Sequence, residues 1–178
     1  MQRRHIFPVL LFTSMLLHTA CNTPPEEAAS TPASRPGLPL PDGFDIRVTG
    51  TVESGQVQLD IEVDIPEGSY VISAMSDRDY LGKFQVNWTD STVVATSALI
   101  EDPVSMPGWE PWDKVYTPML FEATTLRQTW TLPSTLDTAV GEVFFVLEPQ
   151  CVPYAVDVQV IPANGSITCG MVHPRYPE

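Results

Sequence analysis

The sequence predicts an all-β domain, an immunoglobulin-like antiparallel β-sandwich. Val57, Leu59, Ile61, Val63 and Ile65 alternate strictly with Gln58, Asp60, Glu62 and Asp64. That period of two marks a strand with one buried and one wet face. Further short runs rich in β-branched and aromatic residues follow, each bounded by Gly, Pro, Asn, Asp or Ser. No segment carries a helical period of useful length. Eight or nine short strands separated by turn residues point to a sandwich.

The first twenty residues read as a targeting segment. Arg3 and Arg4 precede a mostly apolar run, Ile6 to Leu17, broken by Pro8. The run is too short to span a bilayer comfortably, so a cleaved signal peptide, 1–20, is expected. Leu17-His-Thr-Ala-Cys21 resembles a bacterial lipoprotein lipobox, with His18 where an aliphatic residue is usual. The resemblance implies lipidation of Cys21 and a membrane anchor. Asn22 in place of an aspartate implies the outer membrane, facing the periplasm. An ordinary secretory signal with an incidental cysteine is the alternative. Residues 21–41 follow as a tether. Pro24, Pro25, Pro32, Pro36, Pro39 and Pro41 exclude helix and sheet ladders there.

One domain is expected over 42–161, with a C-terminal tail over 162–178. Its strands begin at Phe44, Ile46 and Val48, and turn at Glu53-Ser54-Gly55 into the alternating run. Further strands are expected over Tyr70 to Met75, Phe84 to Trp88, Thr92 to Leu99 and Val115 to Glu122. Leu126 to Leu132, Glu142 to Leu147 and Ala155 to Ile161 complete the set. Trp88 and Trp130 are the large core candidates. Asp102 to Tyr116 carries three prolines and reads as a long loop, and loops of that length are often functional. Its Trp109, Trp112 and Tyr116 form either an exposed aromatic platform or a lid folded back on one edge of the sandwich.

Without the signal the chain has seven basic and twenty-two acidic residues, a formal charge of −15. That argues against nucleic acid and anionic membrane surfaces as partners. His173 would be the only histidine left, close to the chain end, which disfavours a Ser-His-Asp centre. Cys169, Met171 and His173 are soft ligands at alternate positions, yet spacing alone does not make a site, and no metal or cofactor is expected.

Two thiols remain, Cys151 and Cys169. Cys151 closes a polar turn between two strands and precedes the rigid Pro153. A Cys151–Cys169 disulfide would stabilise by about 3 kcal/mol. A regular hairpin about Asn164-Gly165 would instead put Cys169 opposite roughly Val160, with Cys151 some ~30 Å further along. A disulfide tolerates Cα separations only up to about 7 Å. The bond therefore requires the tail to fold back across the sheet, and two separate thiols are the alternative.

Several segments resemble, in order, the N-terminal periplasmic domain of the thiol–disulfide interchange protein DsbD. They are Ile65-Pro-Glu-Gly-Ser-Tyr-Val-Ile-Ser73, Leu99-Ile-Glu-Asp-Pro103, Tyr116 to Phe121, Thr125 to Leu132 and Gly141 to Val160. The resemblance covers Asp42 to about Ile161. It implies an immunoglobulin-like sandwich whose two cysteines pass reducing equivalents to thioredoxin-fold partners. Cys151-Val152-Pro153-Tyr154 matches the second cysteine, with Tyr154 in place of a second proline. The first cysteine would fall near Phe145 to Leu147, where there is no thiol. Disulfide exchange needs an attacking and a resolving thiol, so autonomous catalysis is not expected. The implied role is an envelope lipoprotein in thiol–disulfide traffic, or one that binds a thioredoxin-fold or other envelope protein. The alternative is a non-redox lipoprotein that binds protein or glycan through its aromatic loop.

Overall fold

Alternation sets the first two strands. In β1 (Asp45–Glu53) every second residue is half-buried, and in β2 (Gln56–Asp64) Val57, Leu59, Ile61 and Val63 are buried. The computed structural model describes residues 40–78 and 82–175. The expected signal peptide, Cys21 and the tether up to residue 39 lie outside the described residues. Leu40, expected in the tether, packs against the core, and Phe44 is buried just ahead of β1.

The remaining strands are β3 (Tyr70–Ile72), β4 (Gln85–Trp88), β5 (Val94–Ala95), β6 (Ile100–Asp102) and β7 (Met106–Glu110). Then come β8 (Val115–Leu120), β9 (Thr124–Thr131), β10 (Ala139–Glu148), β11 (Val152–Ile161), β12 (Ser166–Cys169) and β13 (His173–Pro174). The described residues contain no helix. One sheet runs β1-β2-β9-β5, with β6 also on β9. The other runs β12-β11-β10-β3-β8-β7, with β4 also on β10 and β13 on β11. Every pairing is antiparallel.

The two sheets form a β-sandwich around one core. The first contributes Val57, Leu59, Ile61, Val63, Leu126 and Trp130; the second contributes Val143, Phe145, Leu147, Val156, Val158 and Val160. Full burial of each such side chain favours folding by roughly 1.5–3 kcal/mol. Phe145 sits at the centre, stacked on Phe44 at 5.2 Å, Tyr154 at 5.7 Å and Phe84 at 6.3 Å. Trp88 meets Trp130 edge to face at 5.8 Å and joins the sheets at another point. Outside the core, Arg47–Glu62 and Arg127–Asp60 pair across neighbouring strands of the first sheet.

Three expectations are corrected. The stretch from Asp102 to Tyr116 is not a loop throughout, because it contains β7, which forms a hairpin with β8. Pro107 resembles a breaker but lies on an edge strand, where a missing N–H costs no ladder bond. The expected strand Thr92 to Leu99 shrinks to Val94–Ala95. Asp90 ties the preceding residues into a turn by accepting the Thr92 N–H at 2.8 Å. The tail is part of the second sheet, since β12 and β13 both pair with β11. Its turn spans Pro162 to Gly165, with Gly165 at φ +68°, so Cys169 falls opposite Val158 rather than Val160.

The β7–β8 hairpin turns on a buried carboxylate. Glu110 is 5% exposed and accepts the N–H groups of Trp112 at 3.1 Å and Asp113 at 2.6 Å. Lys114 completes the turn in the left-handed region at φ +56°. Glu110→Ala should strand those two amides and destabilise the fold by about 1–3 kcal/mol. Glu110→Gln, which keeps one oxygen acceptor, should cost less. Denaturant unfolding of the three proteins checks this order.

Candidate functional site

The turn between β10 and β11 holds Cys151. Leu147 pairs with Val152, so Glu148, Pro149, Gln150 and Cys151 form the connection. Cys151 has φ +53°, a conformation that an L residue adopts at a cost of roughly 1–2 kcal/mol. The thiol is free and exposed. It donates to Glu148 Oε2 at 3.1 Å and lies 3.6 Å from the Pro149 carbonyl.

Three further groups converge on this corner. Tyr70 of β3 is directly opposite Glu148 of β10. Its ring meets Phe121 at 5.9 Å. Phe121 in turn lies over Gly108 of β7, where a Cβ would come within 2.7 Å of its ring. Glu110, two residues on, is near enough for its charge to act on both Tyr70 and Cys151.

The electrostatics follow. The Cys151 thiol is pushed above its ordinary pKa, first by its hydrogen bond to Glu148, then by desolvation, then by the Glu148 and Glu110 charges. Tyr70 is also pushed up, by burial first and then by Glu148, Glu110 and Cys151. The corner therefore favours the protonated thiol. Attack on a disulfide needs the thiolate, so reaction here requires Glu148 to move away, to be neutralised, or to take the proton.

The other sequence candidates are dispersed. Pro153 and Tyr154 are residues of β11 and not of the turn. Pro153 accepts the Arg175 N–H through its carbonyl at 2.8 Å, and Tyr154 is a core residue stacked on Phe145. The inward phase of β11 decides this, since Val152, Tyr154, Val156, Val158 and Val160 are all buried. Cys169 sits where β12 meets β1, its thiol 3.5 Å from the Val48 carbonyl, and burial pushes its pKa up.

Cys151 and Cys169 are both free. Cys169 faces Val158, seven residues along β11 from Cys151, or ~23 Å at strand rise. The expected alternative of a Cys151–Cys169 disulfide is therefore not met, because the tail extends along β11 as a hairpin strand. Among the described residues no three of His, Cys, Asp or Glu gather as a metal site.

Trp109 and Tyr116 are cross-strand partners, with ring centroids 5.3 Å apart and planes at 65°. Both are exposed, and Trp112 at the hairpin tip is 80% exposed. They are not folded back as a lid. Trp109 alternates with Glu110, so this aromatic pair and the Cys151 corner lie on opposite faces of the second sheet. Sequence reasoning missed Glu148, Glu110 and Tyr70 as neighbours of Cys151. Only the offset of three residues between Glu148 and Cys151 was available as a signal.

Comparison with protein-family models, curated proteins and solved structures returned no significant match to this chain.

Two outcomes are expected. Glu148→Gln removes the charge that holds the proton on Cys151. Its alkylation by iodoacetamide at mildly alkaline pH should speed up about threefold or more, with the rate profile moved to lower pH. An unchanged profile would show that Glu148 does not govern the thiol. In the denatured chain, without reductant, Cys151 and Cys169 should both take up label, as read by peptide mass.

Proposed function

We propose that the protein is a lipoprotein of the bacterial envelope, anchored through Cys21. In this reading its immunoglobulin-like sandwich presents Cys151 as a single thiol to a thioredoxin-fold partner. The observation that carries the reading is the exposed, free Cys151 on a left-handed turn residue, guarded by Glu148 at 3.1 Å. The resemblance of Gly141 to Val160 to the redox strand pair of DsbD-type domains supports it.

The exchange step is simple. The Cys151 proton passes to Glu148 or to water. The thiolate attacks one sulfur of the partner's disulfide, a mixed disulfide forms, and the partner's other sulfur leaves as a thiolate that takes up a proton. No electrons are gained or lost overall. Cys169 is too far to resolve the mixed disulfide, so release falls to a thiol on the partner. The protein is then a docking and transfer station without a dithiol centre of its own. A second reading is favoured by the exposed Trp109, Trp112 and Tyr116: a non-redox lipoprotein that binds through its hairpin.

The test is trapping. A thioredoxin-fold protein of the same envelope, its resolving cysteine replaced by serine and its remaining thiol activated as a mixed disulfide, should form a covalent adduct with the parent chain. Cys151→Ser should abolish the adduct, and Cys169→Ser should leave it. If the parent chain forms no adduct, the redox reading falls.

A further inference from the structure

The face of the β7–β8 hairpin turned away from Cys151 is an aromatic surface with its own geometry. Pro107 lies directly opposite Pro118, and Trp109 opposite Tyr116. Neither proline has an N–H, so the Pro107–Pro118 pair exchanges no backbone bond. The Pro107 nitrogen therefore turns to the open edge of the sheet. Pro118 turns the other way, and its carbonyl accepts the Ser73 N–H at 3.0 Å. A strand added to β7 would meet an edge short of a donor. A ligand at this edge has to be bound by side-chain faces.

Those faces are rigid and exposed. Trp109 is 51% exposed and Tyr116 72%. Their planes stand at 65° with centroids 5.3 Å apart, which makes a notch and not a flat platform. Successive sugar rings of a glycan stack on coplanar faces. A notch between two angled rings suits one compact ring, such as that of proline. Proline-rich segments in polyproline II form dock in this manner on aromatic-lined grooves and need no backbone ladder.

Charge narrows the ligand further. The described residues carry six Lys and Arg against eighteen Asp and Glu. Arg47, Arg78, Arg127 and Arg175 are already paired with carboxylates. So acidic a surface attracts a basic ligand and opposes an anionic lipid surface or a second copy of the chain.

We propose that the notch formed by Trp109 and Tyr116, flanked by Pro107, Pro118 and Trp112, binds an extended, proline-rich and basic segment of a protein partner. This rests on the second reading above, that the hairpin is a binding surface, and is independent of Cys151.

The probe is a fluorescent synthetic peptide, a run of prolines flanked by arginines, titrated with the full chain by anisotropy. Saturable binding is expected, weakened by salt and by glutamates in place of the arginines. Trp109→Ala and Tyr116→Ala should each weaken it about tenfold or more, with thermal unfolding unchanged. Trp112→Ala, at the most exposed position, serves as a third variant. Alkylation of Cys151 should have no effect. Equal binding of the glutamate-flanked peptide overturns the proposal, as does binding indifferent to all three substitutions. A neutral chito-oligosaccharide that binds in the peptide's stead, and is lost in Trp109→Ala, keeps the hairpin as a binding surface but overturns the proline-rich ligand. If neither probe binds, both the proposal and the hairpin reading fall.

Discussion

The phase of β10 is the constraint on which the second sheet depends. Val143, Phe145 and Leu147 point into the core, while Glu142, Phe144, Val146 and Glu148 face the other way. β10 is paired on one side with β11 and on the other with β3 and β4. Phe145 anchors the phase by stacking with three aromatic rings from different segments. A slip by one residue would turn all of these side chains to the opposite face. It would also swing Glu148 away from Tyr70 and from the Cys151 turn. The core thus holds the chemistry of the corner in place, although no core residue takes part in it.

That corner is built to keep a thiol protonated. Reactive cysteines generally sit among positive charges or at helix N-termini. Cys151 sits instead beside a carboxylate that accepts its proton in a hydrogen bond, with the Glu110 charge behind. Such a thiol resists adventitious oxidation better than an activated one, because oxidation also proceeds through the thiolate. It becomes reactive when an approaching surface neutralises or displaces Glu148. A partner with basic groups around its disulfide would do both, so recognition and activation would share one electrostatic origin.

The β7–β8 hairpin shows how an edge strand is managed. A free edge invites pairing with other chains. Here the Pro107–Pro118 pair removes a donor from the edge, and the strand is only five residues long. The exposed aromatic side chains are retained on the same strands. Their geometry is held by Glu110, a buried carboxylate whose desolvation is offset by two backbone amides. A buried acid is a costly way to hold a turn, and it leaves Trp112 and Tyr116 presented to solvent.

How far the sequence reaches can be judged residue by residue. The alternation from Val57 to Ile65 determined β2 and its buried face, because period two is a local property of the chain. Leu126 and Trp130 were legible as the inward residues of β9 for the same reason, and the composition alone excluded most enzyme chemistry. β7 was not legible, because proline and glycine read as breakers unless the strand is known to lie at an edge. Tyr154 looked like part of a turn, and only the phase of β11 makes it a core residue. The neighbours of Cys151 come from β3, β7 and β10, and nothing local in the chain says that these strands meet. Cys169 depended on the length of one turn, where four residues rather than two moved its partner from Val160 to Val158. Local pattern determined which residues are strand and which face is wet. Register, which is set by packing between distant segments, decided what surrounds the thiol.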